Sequence, residues 1–475
     1  MMRRLVVPAI VVLAVPAFFS VGEADAARDA RSQSGTFAFM DVHVVPMDSE
    51  RILSSQTVIV RDGRIAQIGA AGSVTVPAGA TRIDGRGKYL MPGLAEMHAH
   101  IPGATASERA ISDIMFLYVA NGITTIRGML GAPNQLTLRD ASARNEIVAP
   151  TIIVGAPSLS GQTAPTPDTA GRLVRAHKAA GYDFLKLHPG LTRQVYDAIV
   201  SAARTEGITF AGHISSNVGL AHTLEARQST IDHLDGYLEA SVSPEVHQRM
   251  AAGPVPFPDM VAAVDPERVR EWAGRTRAAG AWNVPTMALW ETFFSPREPA
   301  TFAAWPEMMY ASPAMVEAWS NQKQNMARNQ QNQGVTNESA LRYLVLRRMT
   351  LKALADSGAP LLMGTDSPQM FSVPGFSLHR EIRLMQEAGL TPFQILQSGT
   401  HNVARYVQQD LGGDGSFGTV AAGNRADLIL LDANPLQDAR NIRQRAGVMV
   451  RGRWFPAAEL DTGLEEMARR HRPNG

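Results

Sequence analysis

The chain has 475 residues, of which 45% are apolar, and its 45 basic side chains nearly balance its 44 acidic ones. This length and apolar content suit one large α/β barrel with a smaller accessory module, and the balanced charge argues against a nucleic-acid or general membrane-surface partner. Because cysteine is absent, disulfides, thiolate ligands and cysteine nucleophiles are excluded, so a metal site would have to use His, Asp, Glu or a less common ligand.

The first 26 residues have the layout of an export signal. Arg3 and Arg4 form a positive n-region, residues 5–19 form an apolar h-region, and Ala24-Asp25-Ala26 places small residues at a cleavage site. A membrane anchor or a buried helix is the alternative, but the apolar run is short for a membrane span and no stop-transfer pattern follows it. The sequence therefore predicts a signal peptide over residues 1–26 and an exported mature protein, periplasmic or secreted, with no membrane attachment after cleavage.

Residues 35–92 have the pattern of a small β module. The segment "TFAFMDVHVV" is a strand candidate, and "TVIVRDGRIAQIG" consists of two β-rich runs around Asp62-Gly63, which is typical of a hairpin. We expect this module to be separate from the part of the chain that follows.

Short apolar runs alternate with amphipathic helical patterns over residues 93–408. Strand candidates include "GITTIRGM", "TIIVGA", "ITFAGH" and "PLLMGTDS", and "TRQVYDAIVSAARTEG" is typical of a helix capped by Thr192. Such alternation predicts βα units with a parallel sheet, and eight units would form a (β/α)8 TIM barrel. A doubly wound open sheet is the competing architecture, and periodicity alone does not exclude it.

Residues 292–340 interrupt this alternation with a segment rich in Met, Gln, Asn and aromatic residues. The segment is too long for a simple βα loop. It predicts a helical insertion, acting either as a lid or as a contact between copies in a homo-oligomer.

The β character returns over residues 409–458. The segments "GTVAAGNRADLILLD" and "AGVMVRGRWF" both have the pattern of strands. We expect them to join residues 35–92 in one composite accessory β-sandwich domain, which would leave the barrel inserted between the two ends of the mature chain.

Six residues are candidates for a metal site at one end of the predicted barrel. Four histidines and an aspartate stand at the carboxyl ends of predicted strands, and a lysine lies inside one: His98, His100, His213, His233, Asp366 and Lys186. The carboxyl ends of the strands form the active-site face of a parallel barrel, and His98 and His100, one residue apart, point to the same side of their strand. Several imidazoles and a carboxylate suit a first-row divalent metal such as Zn²⁺.

Six motifs taken in order resemble those of the amidohydrolase superfamily, specifically its imidazolonepropionase-like and prolidase-like (Xaa-Pro dipeptidase) branch. They are "MPGLAEMHAH", "YDFLKLH", "AGH", "TIDHLDG", "LLMGTDSP" and "GTVAAGNRADLILLDANPL". Each motif alone is a weak signal, whereas all six in order are strong. The resemblance covers roughly residues 36–457.

The resemblance implies a centre with two divalent metal ions, Zn²⁺ being the first choice. His98 and His100 would hold the first metal together with Asp366, and His213 and His233 would hold the second. Lys186, carboxylated by CO₂, would bridge the metals together with a hydroxide. An unmodified lysine in a one-metal site is the alternative for Lys186.

The implied activity is metal-dependent hydrolysis of amide C–N bonds in small peptides or N-acyl amino acids. Hydroxide would attack the carbonyl, with Asp366 as general base and then general acid. A cyclic amide or lactone hydrolase of the imidazolonepropionase kind is an alternative that export weighs against. A non-catalytic metal- or ligand-binding protein is the other alternative, and the full ligand set argues against it.

Five further residues are candidates for contact with a small-molecule or short-peptide substrate. Each has a structural alternative, namely a core hydrogen bond, a packed aromatic ring or an ion pair: Tyr237, His188, Arg127, Trp290 and His379.

Overall fold

The computed structural model describes residues 35–471. The predicted signal peptide lies outside these residues. Within residues 35–471, no helix combines the length and the apolar character needed to span a membrane.

Fifteen strands are formed by the described residues. They are β1 Phe37–Val44, β2 Leu53–Arg61, β3 Arg64–Ala70, β4 Thr81–Asp84, β5 Tyr89–Pro92, β6 Leu94–Ala99, β7 Ile123–Gly128, β8 Thr151–Val154, β9 Leu185–Leu187, β10 Phe210–Gly212, β11 Thr230–Asp232, β12 Trp282–Val284, β13 Leu428–Leu431, β14 Arg445–Val450 and β15 Arg453–Pro456.

Strands from both ends of the described chain share one eight-stranded sheet in the order β15-β14-β13-β5-β1-β2-β3, with β4 paired to β1. The predicted hairpin is confirmed, because β2 and β3 pair antiparallel around Asp62-Gly63, both of which have positive φ. The two ends meet where β13 pairs antiparallel with β5. The division of these strands into a separate β-sandwich domain over residues 35–92 and 409–458 stays a prediction.

Two parallel sheets carry the middle of the chain, in the orders β6-β7-β8 and β9-β10-β11-β12. Their strands are almost wholly buried, as expected for parallel strands covered on both faces. Parallel bridges join Gly155 to Phe184, Asn283 to Leu361, and Ala99 to Ser367. The result is an α/β scaffold consistent with the predicted TIM-barrel-like architecture.

Helices alternate with these parallel strands. The α-helices span Glu108–Ala120, Pro133–Ala143, Pro167–Ala179, Arg193–Glu206, Gly219–Glu225, Tyr237–Ala240, Pro244–Ala252, Phe257–Ala262, Pro266–Ala279, Met287–Phe294, Pro299–Ala303, Pro313–Asn332, Asn337–Ser357, Phe376–Glu387, Pro392–Ser398, His401–Asp410 and Ala457–His471, and 3-10 turns span Pro306–Tyr310 and Ala439–Arg443.

The helix Arg193–Glu206 illustrates how sequence sets these boundaries. The Thr192 hydroxyl accepts a hydrogen bond from the Val195 amide, as predicted for an N-cap, and Gly207 ends the helix in the left-handed conformation. Between these caps, Val195, Ile199 and Ala203 are buried against the apolar core. The spacing of these residues puts them on one helix face.

The segment 292–340 is helical throughout most of its length. Trp290 and Glu291 lie within the helix Met287–Phe294, which begins three residues after β12 ends. The buried ammonium of Lys323 donates hydrogen bonds to the carbonyl oxygens of Phe293 and Ser295, which ties the helix Pro313–Asn332 to the end of the helix Met287–Phe294. A role of the insertion as a lid or oligomer contact stays a prediction.

Candidate metal centre

The ends of several parallel strands bring the predicted ligands together. His98 lies near the end of β6 and His100 follows that strand, while His233 directly follows β11. The backbone of the segment around Asp366 is joined to β6, because the Asp366 amide donates to the His98 carbonyl oxygen and the His100 amide donates to the Ser367 carbonyl oxygen. These bonds fix the carboxylate beside the two imidazoles.

Three imidazoles converge on the Asp366 carboxylate. Its Oδ1 lies 2.5 Å from His100 Nε2 and 3.6 Å from His98 Nε2, and its Oδ2 lies 3.8 Å from His233 Nε2. Burial raises the pKa of Asp366, but His98, His100 and a hydrogen bond from Gln369 outweigh burial and hold it well below its usual range. Asp366 is therefore an ionised acceptor inside a buried site.

The predicted ligand His213 lies beside this cluster, next to His233. The His213 and His233 rings are 4.4 Å apart between centroids, as are the His98 and His233 rings. The His213 Nδ1 lies 2.8 Å from an Asp235 carboxylate oxygen, and the His233 Nδ1 lies 2.8 Å from the Thr286 hydroxyl. These partners orient the two rings, as carboxylates and hydroxyls do around metal-binding histidines.

The residues present fit a divalent cation. One ligand atom from each of His98, His233 and Asp366 lies within 4.8 Å of the other two. Burial lowers the pKa of both His98 and His233, which favours the neutral imidazole that binds metals. The buried His233 Nε2 and Lys186 Nζ have no hydrogen-bond partner among the described residues, an arrangement that is costly unless another group satisfies them.

The backbone is strained where the chain turns into this site. His233 has a φ of 62° and Asp366 a φ of 66°, a conformation that non-glycine residues rarely adopt. Each such residue costs on the order of 1 kcal/mol or more, and such residues cluster at functional sites. The strain is consistent with a functional site, in which the chain adopts an unfavourable backbone conformation so that the His233 and Asp366 side chains point into the site.

Sequence reasoning missed Asp232, which links two predicted site residues. Its carboxylate lies 3.0 Å from His98 Nδ1 and 3.2 Å from the Arg127 guanidinium, and it accepts a hydrogen bond of 2.7 Å from the Thr230 hydroxyl. All of these groups are buried. The sequence signal for Asp232 was a charged side chain inside the otherwise uncharged, buried strand "TID". In the same way, Asp235, two residues after His233, was a candidate partner for a site histidine, and it contacts His213.

Arg127 makes its contacts inside the protein core, and this position does not fit the predicted contact with a substrate carboxylate. It is fully buried, donates to the Met97 carbonyl oxygen and to the Tyr406 hydroxyl, and pairs with Asp232. The structure thus shows the alternative, an ion pair with a neighbouring acid.

Arg127→Met is expected to lower the free energy of unfolding by about 3–5 kcal/mol, because it leaves the Asp232 carboxylate buried without its counter-charge. Urea denaturation would measure the change. The matched control is Arg172→Met, which removes an exposed pair with Asp168 and should cost at most about 0.5 kcal/mol. Equal effects of the two substitutions would contradict the role of Arg127.

Two more predicted substrate contacts lie away from the centre. The fully buried Tyr237 places its hydroxyl 2.8 Å from both the Thr276 hydroxyl and the Asn283 side-chain oxygen, so its hydrogen bonds are made within the core. His379 contacts Asn121 and lines a different cavity. Neither placement fits contact with a substrate at the metal centre.

His188 and Trp290 do lie beside the centre. The His188 ring stacks on the His213 ring with centroids 4.7 Å apart, and its Nδ1 lies 3.0 Å from the Ser158 hydroxyl. Burial, followed by the nearby His213 and Lys186, lowers the pKa of His188 to about 4. The Trp290 ring lies 6.3 Å from the His233 ring, and its indole N–H has no hydrogen-bond partner among the described residues.

The sequence pattern of the amidohydrolase family matches residues 89–455, which include all six predicted metal ligands. The chain belongs to the amidohydrolase family. This finding confirms the family predicted from the six motifs.

Two curated proteins show partial similarity to the chain. An adenine deaminase from Chelativorans sp. (strain BNC1) is 30% identical over 35% of this chain and 30% of its own length. An imidazolonepropionase from Stenotrophomonas maltophilia (strain R551-3) is 31% identical over 20% of this chain and 26% of its own length. The match thus spans less than a third of each curated relative.

Solved structures resemble the amidohydrolase chain over much more of its length. A bottromycin amidohydrolase is 23% identical, with a TM-score of 0.69 over 95% of both chains. A Xaa-Pro dipeptidase with bound methionine in its active site is 18% identical, with a TM-score of 0.61 over 89% of this chain and 100% of that chain. These similarities show a shared fold.

Proposed function

We propose that this chain is an exported, metal-dependent amidohydrolase that cleaves amide C–N bonds of small peptides or N-acyl amino acids. The observation that carries the proposal is the convergence of the His98, His100 and His233 imidazoles on the buried, ionised Asp366. This arrangement combines metal ligands with a proton acceptor and needs no serine or cysteine nucleophile.

The two cations implied by the family would supply a water of lowered pKa and polarise the substrate carbonyl. His98, His100 and Asp366 would hold one cation, and His213 and His233 the other. We further propose that Lys186 is carboxylated and bridges them, since a buried amine with no hydrogen-bond partner is poorly suited to remain a plain ammonium beside cations.

Asp366 moves the proton in this proposal. Its Oδ1 accepts a hydrogen bond from Gln369 at 2.9 Å, which leaves Oδ2 to accept a proton from the attacking water. The same oxygen then returns the proton to the leaving nitrogen as general acid. Asp232 and Asp235 keep the His98 and His213 rings oriented during the reaction.

His188 and Trp290 are the proposed substrate contacts. His188 is held neutral at neutral pH, and the Ser158 hydroxyl at its Nδ1 fixes the orientation of the ring. The unpartnered Trp290 indole N–H offers a donor at the edge of the site. Together they could orient a polar group and an apolar side chain of a small substrate.

The architecture and cellular location belong to the same proposal. The parallel bridges between the two sheets and the segment 361–367 support closure into a (β/α)8 barrel, which would place all six ligands at one face. The N-terminal signal pattern supports action in the periplasm or outside the cell.

A substrate panel on metal-replete protein tests this function. We expect release of free amino acids from dipeptides or N-acyl amino acids, with little turnover of lactams and lactones. Turnover confined to cyclic substrates would replace the proposal with its second candidate, a cyclic amide or lactone hydrolase. The curated imidazolonepropionase named above favours that candidate. No turnover of any panel member by protein with bound metal would favour a binding protein.

A further inference from the structure

A second cavity of about 790 Å³ lies between the insertion, the helix Phe376–Glu387 and the C-terminal part of the chain. Its walls come from residues between 291 and 310, from residues 376–383, and from residues between 442 and 464, with Ala120 and Asn121 at one side. None of the six predicted metal ligands lines it. Its size is that of a site for a small organic ligand.

The walls of this cavity carry more positive than negative charge. Five arginines and three acidic residues line it. Each acid is paired, since Glu291 contacts Arg383, Glu307 contacts Arg380, and Asp461 contacts Arg445. The two other arginines of the walls are Arg297 and Arg443, and within residues 35–471 neither forms an ion pair with an acid. The excess charge favours an anionic ligand.

Arg380 is the most deeply placed of these cations. Its side chain is 9% exposed, its guanidinium stacks on the Trp305 ring at 3.9 Å, and one terminal nitrogen donates to the Phe371 carbonyl oxygen. Its Nε has no hydrogen-bond partner among the described residues, and its other terminal nitrogen lies 3.4 Å from Glu307. A buried guanidinium with unused donors is suited to bind a carboxylate.

His379 adds a hydrogen-bond acceptor to the same wall. The Asn121 side-chain nitrogen donates to the Leu117 carbonyl oxygen, so the Asn121 oxygen accepts from His379 Nε2 at 2.9 Å. Burial, helped by Arg443 and Arg445, lowers the pKa of His379 to about 3. A neutral ring that donates through Nε2 has a bare lone pair on Nδ1, and this buried Nδ1 has no partner among the described residues.

Aromatic rings complete the cavity. Tyr310 and Phe376 stack with centroids 4.7 Å apart, and Phe302 packs edge-on against Trp305 at 5.1 Å. Such rings would cover an apolar or aromatic group. The cavity therefore joins a carboxylate-binding cation, an acceptor for one N–H or O–H, and an apolar wall.

We propose that this cavity is a second ligand site, separate from the metal centre, that binds a small carboxylic acid with an aromatic or apolar body and a hydroxyl or amino group. The carboxylate contacts Arg380, the hydroxyl or amino group donates to His379 Nδ1, and the apolar body lies against the aromatic rings. The proposal does not depend on which bond the metal centre cleaves.

Calorimetric titration of the full chain with 3-phenyllactate tests the site, with the uncharged 3-phenyllactamide as the matched ligand. We expect saturable binding of the acid and at least about tenfold weaker binding of the amide. That difference in affinity corresponds to the loss of one hydrogen bond between charged groups. Asp366→Asn should bind the acid as the unchanged protein does, because Asp366 lies outside the cavity. Loss of binding in that variant would assign the acid to the metal centre and overturn the proposal.

Two substitutions in the cavity complete the test. Arg380→Met should weaken binding at least about tenfold. Because Arg380 is buried and that variant could fail to fold, Arg443→Glu provides a second test at an exposed position, with exposed Arg61→Glu as its control. We expect several-fold weaker binding in Arg443→Glu and no change in Arg61→Glu. No binding of the acid to the unchanged protein, or equal binding by these two variants, would contradict the site.

Discussion

Asp366→Asn is expected to reduce amide hydrolysis by about 10³-fold, within the range of rate enhancements that a positioned acid–base group provides. The substitution keeps the side-chain shape but removes the charge that accepts the proton. It should shift the melting temperature by only a few degrees, because the Asn side chain has the same size and its amide oxygen can still accept the hydrogen bond from Gln369. Initial rates with a dipeptide and a thermal melt measure both effects.

The control for Asp366→Asn is Asp356→Asn, the same chemical change at an exposed residue paired with Lys352. We expect its rate to equal that of the unchanged protein. A rate within tenfold of the unchanged protein in Asp366→Asn would show that another group moves the proton.

Lys186→Ala is expected to lower metal content and to reduce the rate by about 10²–10³-fold, since several kcal/mol of transition-state stabilisation depend on the metals. The shortened side chain leaves space beside the ligands, so millimolar acetate or propionate should restore part of the activity by replacing the bridging anion. Elemental analysis and initial rates with and without these acids measure the two effects.

Lys178→Ala is the matched control, because Lys178 is exposed and its ammonium contacts only the Gly207 carbonyl oxygen among the described hydrogen bonds. It should keep its metal and its rate. Full metal content and activity in Lys186→Ala would contradict a bridging role and favour an unmodified lysine beside a one-metal site.

Local patterns in the sequence were sufficient to predict the β2–β3 hairpin, the parallel α/β scaffold and several of the residues that converge on Asp366. His98 lies in β6 and His100 directly follows it, and their rings lie 5.7 Å apart between centroids, as expected for side chains two positions apart in extended chain. The Asp62-Gly63 turn specifies the β2–β3 hairpin. Five of the six predicted ligands stand at the end of an apolar run, and each such run can be recognised from the local sequence alone.

Contacts between distant segments could not be predicted in the same way. Asp232 lies in the motif "TIDHLDG", yet its role in orienting a histidine depends on contacts with His98 and Arg127 from other strands. Tyr237 also follows a ligand motif, but its hydroxyl contacts Thr276 and Asn283 in the core. The direction of a side chain after a strand depends on long-range packing, which periodicity does not encode.

The cavity around Arg380 is the clearest example of this limit. Its walls combine the insertion, the helix Phe376–Glu387 and the C-terminal helix Ala457–His471, and no one of these segments carries a recognisable binding motif. The insertion could be identified as helical from its length and composition, whereas the surface it covers required the three-dimensional structure.

We propose one two-metal hydrolytic centre formed by six residues, namely His98, His100, Lys186, His213, His233 and Asp366. Its most direct test removes metal with a chelator, adds back Zn²⁺ in measured equivalents and follows dipeptide hydrolysis together with bound metal. We expect no activity in the stripped protein and a rise in activity that levels off near two bound ions per chain. Full activity of the stripped protein, or a plateau at one ion, would contradict the two-metal centre.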